Sequence, residues 1–306
     1  MTNVDSKALL LAAAFLLASI LPGSAPAQTL SVEGFAWAEN LTFDGRGHLF
    51  VSENLRGEVW RIEADGEGGY TSALHLSGFE AVLGLAASED GHIIYAVGRL
   101  LDDSPLVFGF SADVPETWWV IAPVPQSPNG LERNNDGHLF VTTEGSFIPG
   151  RGEVYEIEPE TGSVWTVMTG LWAPDGAAID LDGQLLYVGE VVSGKIWTYD
   201  LATQETQGYF QGVIGKRGQW LDDFCISDDG SALYGADFAR RTAIRVPIGE
   251  EASGRPDVLG RLDYPTTSAA FGSGPGFRST SLYVTEGGGI AESTTDRRVV
   301  EIPNVR

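Results

Sequence analysis

Cysteine and basic residues are both scarce in this 306-residue sequence. The single cysteine, Cys225, excludes an internal disulfide, and its place in the apolar run 224–226 is typical of a core residue rather than of a nucleophile. Only 19 lysines and arginines stand against 42 aspartates and glutamates, which gives a net charge of −23. Such an acidic chain is unsuited to nucleic acid or anionic membranes, whereas it is compatible with cation binding.

Long hydrophobic runs are absent after the first one, which spans residues 8–21 and is short for a membrane-spanning helix. An A-x-A pattern follows it at residues 25–27. Together these features predict a signal peptide over residues 1–27, and therefore a secreted or periplasmic protein. An uncleaved anchor is the alternative, because Asp5 lies beside Lys7, the only basic residue ahead of the run.

Helical periodicity is also missing, and a repeat of strands takes its place. Short apolar strands recur at spacings of 45, 45, 47, 47 and 49 residues. Their sequences are HLFV, IIYA, HLFV, LLYV, ALYG and SLYV, which end at Val51, Ala96, Val141, Val188, Gly235 and Val284. A repeat of this length that is made only of strands predicts a β-propeller, whose blades surround one central channel.

Each repeat divides into four strands, with an Asp-Gly hairpin turn between the first two in several copies. In the third copy the predicted strands are 131–134, 138–142, 153–157 and 164–169. The sixth copy lacks a fourth strand, and the segment 30–35 is unassigned near the other end of the chain. We therefore expect an all-β, six-bladed β-propeller as a single domain over residues 28–306, closed by pairing of the N-terminal strand with the last blade.

Mostly polar and acidic residues precede the first strand of each copy, where they would ring one mouth of the channel. They are Glu39, Glu80, Asn129, Asp175, Asp222 and Thr267. Burying several carboxylates together is unfavourable unless a positive charge lies between them. We therefore predict a divalent cation held by four members of this ring, namely Glu39, Asn129, Asp175 and Asp222.

Calcium is the favoured cation, because all four residues supply oxygen donors and no histidine or cysteine accompanies them. Zinc or another divalent metal is the alternative. A different interpretation of the same residues is that Asn129-Gly130 and Asp175-Gly176 are ordinary turn dipeptides.

Two further sets of residues fall near the same mouth. Trp37, Trp172 and Trp220 precede three of the ring residues, and they either line an apolar substrate pocket or pack the blades together. Five acids end the second strand of their copies: Glu53, Glu144, Glu190, Asp237 and Glu286. We interpret these acids as solvated residues or as acceptors for backbone amides, with direct cation binding as the alternative, foremost for Glu190 and Asp237.

Short motifs at these positions resemble the family of six-bladed propellers that includes gluconolactonase, senescence-marker protein and luciferin-regenerating enzyme. The matching stretches are Glu39, 127–130 (Ser-Pro-Asn-Gly), 174–176 (Pro-Asp-Gly), 221–226 and 281–285. The resemblance implies a catalytic divalent metal, usually calcium or zinc, bound by Glu39, Asp175 and Asp222, with Asn129 contacting metal or substrate. It also implies hydrolysis of a lactone or similar ester, with Asp222 as the general base or nucleophile.

Three departures bear on how far the resemblance carries. Asp175 stands where the family has a metal-binding asparagine, which adds negative charge. Ser127 stands where the family has an arginine that binds sugar acids, which argues against an aldonic lactone as substrate. His48, His92 and His138 lie in or beside the first hairpin of their repeats, on the opposite face, so a paraoxonase-like histidine dyad is not expected.

These observations lead us to expect a monomeric, metal-dependent lactonase or esterase that acts on a small molecule. No nucleic acid partner is expected, and no membrane partner once the signal peptide is removed. One alternative is a non-catalytic propeller that binds a small molecule or a protein. Another is a strictosidine synthase-like, non-hydrolytic enzyme on the same scaffold, since a fold does not determine a function.

Overall fold

The computed structural model describes residues 30–67, 69–209, 220–248, 256–288 and 295–305. The signal peptide predicted for residues 1–27 lies outside these ranges. Helices are confined in the described part of the chain to two 3₁₀ turns, Gly145–Phe147 and Phe238–Arg240. No helix among the described residues has the length and hydrophobicity needed to cross a bilayer.

The strands form four-stranded antiparallel sheets, each of which is one blade. The first strand of the described chain, β1 (Leu30–Phe35), belongs to the last blade. The first three blades follow along the chain, and their strands are β2 (Ala38–Phe43), β3 (His48–Glu53), β4 (Glu58–Ala64), β5 (Tyr70–Leu76), β6 (Ala81–Ala87), β7 (Ile93–Arg99), β8 (Pro105–Ser111), β9 (Trp118–Pro123), β10 (Pro128–Arg133), β11 (Leu139–Thr143), β12 (Gly152–Glu158) and β13 (Ser163–Leu171).

The remaining three blades complete the circle. Their strands are β14 (Pro174–Ile179), β15 (Leu185–Glu190), β16 (Ile196–Asp200), β17 (Glu205–Tyr209), β18 (Leu221–Ile226), β19 (Ala232–Asp237), β20 (Thr242–Pro247), β21 (Asp257–Arg261), β22 (Thr266–Phe271), β23 (Leu282–Glu286) and β24 (Arg297–Ile302). The first strands of the blades contact one another in the closed order β2, β6, β10, β14, β18, β22 and back to β2, so they surround the central channel.

The ring is closed by the N-terminal strand. β1 pairs antiparallel with β24, from Leu30 opposite Glu301 to Phe35 opposite Arg297, and so supplies the fourth strand of blade six. This confirms the predicted all-β, six-bladed propeller and its closure. Closure removes the exposed edge that an open array of this kind would leave.

The second strand of each blade, such as β3 in blade one, carries an apolar run because both faces of the blade are covered by its neighbours. Leu49, Phe50 and Val51 of β3, for example, are all fully buried although they point alternately to opposite faces. Phe50 packs with Phe108 and Phe110 of blade two in one core cluster. The HLFV-type repeat in the sequence is therefore the signature of a strand buried between two blades.

The hairpin between the first two strands of a blade is fixed by a polar side chain that accepts backbone N–H groups. In blade four, Asp180 Oδ1 accepts from Gln184 N at 2.7 Å and from Leu185 N at 3.0 Å. In blade three, Asn134 Oδ1 accepts from His138 N at 2.8 Å. These bonds hold the turn at the end of the channel opposite to the predicted site.

Replacement of Phe35 tests the closing strand. Phe35 is buried and its ring lies edge-to-face with Trp60, with the ring centroids 6.2 Å apart. We expect Phe35→Ala to lower the free energy of unfolding by about 3–5 kcal/mol, the usual cost of a buried phenylalanine. The measurement is urea denaturation followed by fluorescence.

Ser31→Ala in the same strand is the control, since Ser31 is exposed; we expect its effect to stay within about 0.5 kcal/mol. Equal midpoints for the two variants would contradict the role of β1 in closing the ring.

Candidate active site

Every innermost strand carries a β-bulge at the same point. In β2, Ala38 pairs with Glu53 and Leu41 with Val51, so that two residues, Glu39 and Asn40, face one residue of β3. The same register shift falls at 83–84, 129–130, 175–176, 222–223 and 267–268 in the other five blades. A bulge bends the strand and re-aims the side chains of its extra residue. The predicted site residues are therefore the bulge residues of their blades.

The first residue of each bulge is buried. These residues are Glu39, Leu83, Asn129, Asp175, Asp222 and Thr267, and we call them the mouth ring. The prediction is wrong for blade two, where it assigned Glu80: that residue is exposed and precedes β6, and Leu83 occupies the bulge. The bulge register decides the ring position, and the blade-two bulge carries Leu-Gly, with no polar residue.

The second residue of each bulge is small or polar: Asn40, Gly84, Gly130, Gly176, Asp223 and Ser268. A Cβ on Gly130 would lie 2.1 Å from the carbonyl oxygen of Asp175, and one on Gly176 would lie 2.6 Å from that of Asp222. These glycines are needed because neighbouring inner strands approach closely there. Neither has a positive φ, so Asn129-Gly130 and Asp175-Gly176 are strand residues and not turn dipeptides.

The mouth ring concentrates negative charge in a buried space. Burial raises the pKa of Glu39 to about 8, and the charge of Glu144 adds to the shift. Burial also raises the pKa of Asp175 well above its usual value, followed by the charges of Glu144 and Glu39. For Asp222, burial raises the pKa in the same direction, with Asp175 the next cause. These carboxyl groups thus lie close enough for the charge of one to act on the pKa of another.

Glu144, which the sequence groups with four other acids at the ends of second strands, also acts on this group. Asn129 Nδ2 donates to Asp175 Oδ2 at 3.0 Å and to Glu144 Oε1 at 3.2 Å. In blade one, Glu53 pairs with Ala38, the first residue of β2. In blade three, the residue that pairs with the first residue of β10 is Thr143, so Glu144 lies one residue beyond the position that corresponds to Glu53. That extra residue, visible as Thr-Thr-Glu in the sequence, is the signal that separates Glu144 from the other four acids.

The other four acids hold the loops that enter the inner strands. Glu53 Oε2 accepts from Ala36 N at 2.6 Å, and Glu190 Oε1 accepts from Trp172 N at 2.9 Å. In blades five and six, the corresponding acceptors are Asp237 for Trp220 N and Glu286 for Asp263 N. The interpretation of these acids as acceptors for backbone amides is confirmed for all four.

A second polar layer lies directly below the mouth ring. Asp223 Oδ2 accepts from Asn40 Nδ2 of blade one and, at 2.9 Å, from Ser268 Oγ of blade six. Burial raises the pKa of Asp223 to about 6, although these hydrogen bonds oppose the shift. Asn40 is only 5% exposed. Deeper on β10, burial raises the pKa of Glu132 to about 7.

The three tryptophans of the mouth have two different environments. Trp37 and Trp220 both stack on Phe238, at centroid distances of 6.2 and 6.1 Å, and form an aromatic wall. Trp172 instead donates its indole Nε1–H to the carbonyl oxygen of Phe147 at 3.1 Å. The four histidines are elsewhere, three beside the hairpins at the opposite end and one in β5.

The donor set of the mouth fits a hard cation. Glu39 Oε2 is buried and has no hydrogen-bond partner within the described part of the chain. Among the described residues, however, no group of three or more histidine, cysteine, aspartate or glutamate side chains is arranged so that it could hold a metal ion; the fit therefore concerns the kind of donor atom. The carboxamide of Asn129 lies between two of the carboxylates, so that the available donors are all oxygen atoms of carboxylates and one amide, the ligands that calcium prefers.

Comparison with known proteins places the chain in a family. No curated protein sequence matches it. Among solved structures, a calcium-binding protein, regucalcin, from Agrobacterium tumefaciens has 17% identity and a TM-score of 0.71, over 92% of this chain and 98% of that one. A luciferin-regenerating enzyme has 16% identity and a TM-score of 0.69, over 90% and 93% of the two chains.

A gluconolactonase from Xanthomonas campestris has 16% identity and a TM-score of 0.62, over 91% of this chain and 88% of that one. At such identities these likenesses show the propeller fold alone. The family model described as the SMP-30/gluconolactonase/LRE-like region matches residues 33–287, which include every member of the mouth ring. The chain therefore belongs to the SMP-30/gluconolactonase/LRE-like family.

Proposed function

We propose that this protein is a divalent-cation-dependent hydrolase of lactones or related esters, with its site at the mouth ring. The observation that carries the proposal is the burial of Glu39, Asp175 and Asp222 around one channel mouth, which is unfavourable for their charged forms unless a positive charge lies between them. Membership of the family supports lactone chemistry. The similarity to a gluconolactonase and to a calcium-binding regucalcin agrees with it.

The cation would be held by Glu39, Asp175 and Asp222, with Asn129 contacting the cation or the substrate. Calcium suits this all-oxygen set best, and zinc or another divalent metal is the alternative. When bound, the cation supplies positive charge that polarises the ester carbonyl and stabilises the oxyanion. Asp175, an acid in place of the family's asparagine, makes the set more negative and favours a doubly charged ion.

Asp222 is the general base in this proposal. Its carboxylate orients the attacking water and accepts its proton, since a base beside the reacting carbonyl must lie within hydrogen-bond reach of that water. Asp223, the next residue, is unsuited to the role because its Oδ2 is engaged by Asn40 and Ser268.

The substrate is an apolar lactone or ester in this proposal. The aromatic wall of Trp37, Phe238 and Trp220 supplies stacking area beside the ring. Ser127 replaces the arginine by which the family binds sugar acids, which favours an uncharged substrate. Export, as the signal peptide predicts, would expose this site to small molecules outside the cytoplasm.

Removal of the cation tests the function directly. We expect the purified protein to contain about one equivalent of calcium, because one ring of oxygen donors accommodates one ion. Turnover of a panel of aliphatic lactones and aryl esters should disappear on chelation and return on adding calcium. The measurements are elemental analysis and initial rates. Absence of bound divalent metal together with absence of turnover would point to a non-catalytic binding propeller.

Replacement of Asp222 tests the base. Asn keeps an oxygen donor for the cation but cannot accept the proton, so we expect Asp222→Asn to retain calcium and to lower kcat by about 100-fold or more. Steady-state kinetics and calorimetric calcium titration give the two values. Asp182→Asn, in an exposed hairpin of blade four, is the matched control and should be unchanged. A variant at 222 with the parent's kcat would contradict the assignment.

A further inference from the structure

The segment that follows Glu144 folds into a left-handed turn. Gly145, Ser146 and Phe147 have successive φ angles of 58°, 57° and 59°. Left-handed backbone is unfavourable for residues with a Cβ, and runs of such residues are rare. Strain of this kind persists only where the surrounding structure enforces it, and it concentrates at functional sites.

Within the turn itself, two backbone hydrogen bonds of ordinary to long length hold the left-handed residues in place. Phe147 N donates to Glu144 O at 3.1 Å and Ile148 N donates to Gly145 O at 3.2 Å. Gly145 is required, because a Cβ there would lie 2.4 Å from the carbonyl oxygen of Arg151. Ser146 and Ile148 are exposed, so packing contributes little to holding the turn at these residues.

The bond from Trp172 ties the turn to the next blade. Its indole Nε1–H donates to Phe147 O, in the middle of the left-handed run, at 3.1 Å. Trp172 is itself fixed, because its backbone N–H is held by Glu190 at 2.9 Å. Ala173, which follows it, also has a positive φ of 49°. Two strained segments of blades three and four thus meet at one hydrogen bond.

The turn determines where Glu144 lies. Glu144 is the residue immediately before the left-handed run, and its carboxylate accepts from Asn129 within the mouth ring. Relaxation of the run toward ordinary backbone would rotate the preceding peptide and carry the Glu144 carboxylate away from Asn129.

We propose that Trp172 is a positioning residue, whose indole latches the left-handed turn and so holds Glu144 against Asn129, beside the residues that would bind the cation. Trp37 and Trp220 do not share this role, since they stack on Phe238. The part of the inference that concerns the cation rests on the proposed function, whereas the latch itself does not.

Limited proteolysis tests the latch without any cation. Arg151 is exposed at the end of the turn, and cleavage by trypsin reports the population of the opened segment. We expect Trp172→Phe, which keeps the ring and removes the donor, to speed cleavage after Arg151 about tenfold, the effect of one lost hydrogen bond. Mass spectrometry identifies the cut. Trp165→Phe, on the outer strand of blade three, is the control and should cleave at the parent's rate. Equal rates for both variants would overturn the latch.

A double-mutant cycle tests the positioning role. We expect Trp172→Phe to weaken calcium binding about fivefold in the parent, and to have no further effect in the Glu144→Gln background, because a residue that acts through another is silent once that other is gone. Calorimetric titration gives the affinities. An equal loss in both backgrounds would overturn the link to Glu144. A parent protein that binds neither calcium nor another divalent cation would reject both the proposed function and the cation part of this inference, and the cleavage rates would still decide the latch.

Discussion

Burial of like charge at one end of the channel is the constraint on which the rest of the site depends. Glu39, Asp175 and Asp222 come from different blades; burial raises the pKa of both aspartates, and the charge of Glu39 adds to both shifts. Free side chains would separate, but these are carried by bulges in strands that are themselves locked in four-stranded sheets. Thr142 of blade three donates to the backbone oxygen of Asp175, and Thr285 of blade six to that of Glu39. The scaffold therefore maintains a charge arrangement that the side chains alone would not.

Hydrogen bonds above and below the mouth ring keep its side chains from moving apart. Above, Glu53 and Glu190 clamp the entering loops through their backbone amides. Below, Asp223 joins blades one, five and six through Asn40 and Ser268. In a preorganised ring of this kind, the free-energy cost of bringing the charges together is met when the protein folds and not when a ligand binds. Charges fixed in this way act most strongly on a ligand or a transition state.

Much of this architecture could be predicted from the sequence, because a strand buried on both faces must be apolar and the blades repeat it. The six blades follow from that spacing, and the closing strand follows from the missing fourth strand of the last copy together with the unassigned segment 30–35. The bulge could not be predicted, since it depends on pairing with the neighbouring strand, and so Glu80 was assigned where Leu83 lies. The sequence groups Glu144 with four acids that in fact accept backbone N–H groups. The difference is one extra residue, Thr143, which shifts Glu144 by one position along its strand relative to those acids. The donor role of Trp172 depends on a turn whose left-handed backbone no composition pattern predicts.

The blades that contribute no acid make the channel mouth asymmetric, with an apolar side and a charged side. Blades two and six place Leu83 and Thr267 in the ring. Trp37 of blade one lies against Gly287 of blade six and stacks on Phe238 of blade five. The aromatic wall thus covers the blade-six side, while Asp175, Asn129 and Glu144 concentrate charge on blades three and four. In the proposed hydrolase, a cation held by these carboxylates would attract the carbonyl oxygen of an ester, which would leave the apolar part of the ester facing the wall. In the proposed hydrolase, orientation of the substrate follows from the blades that lack a carboxylate as much as from those that carry one.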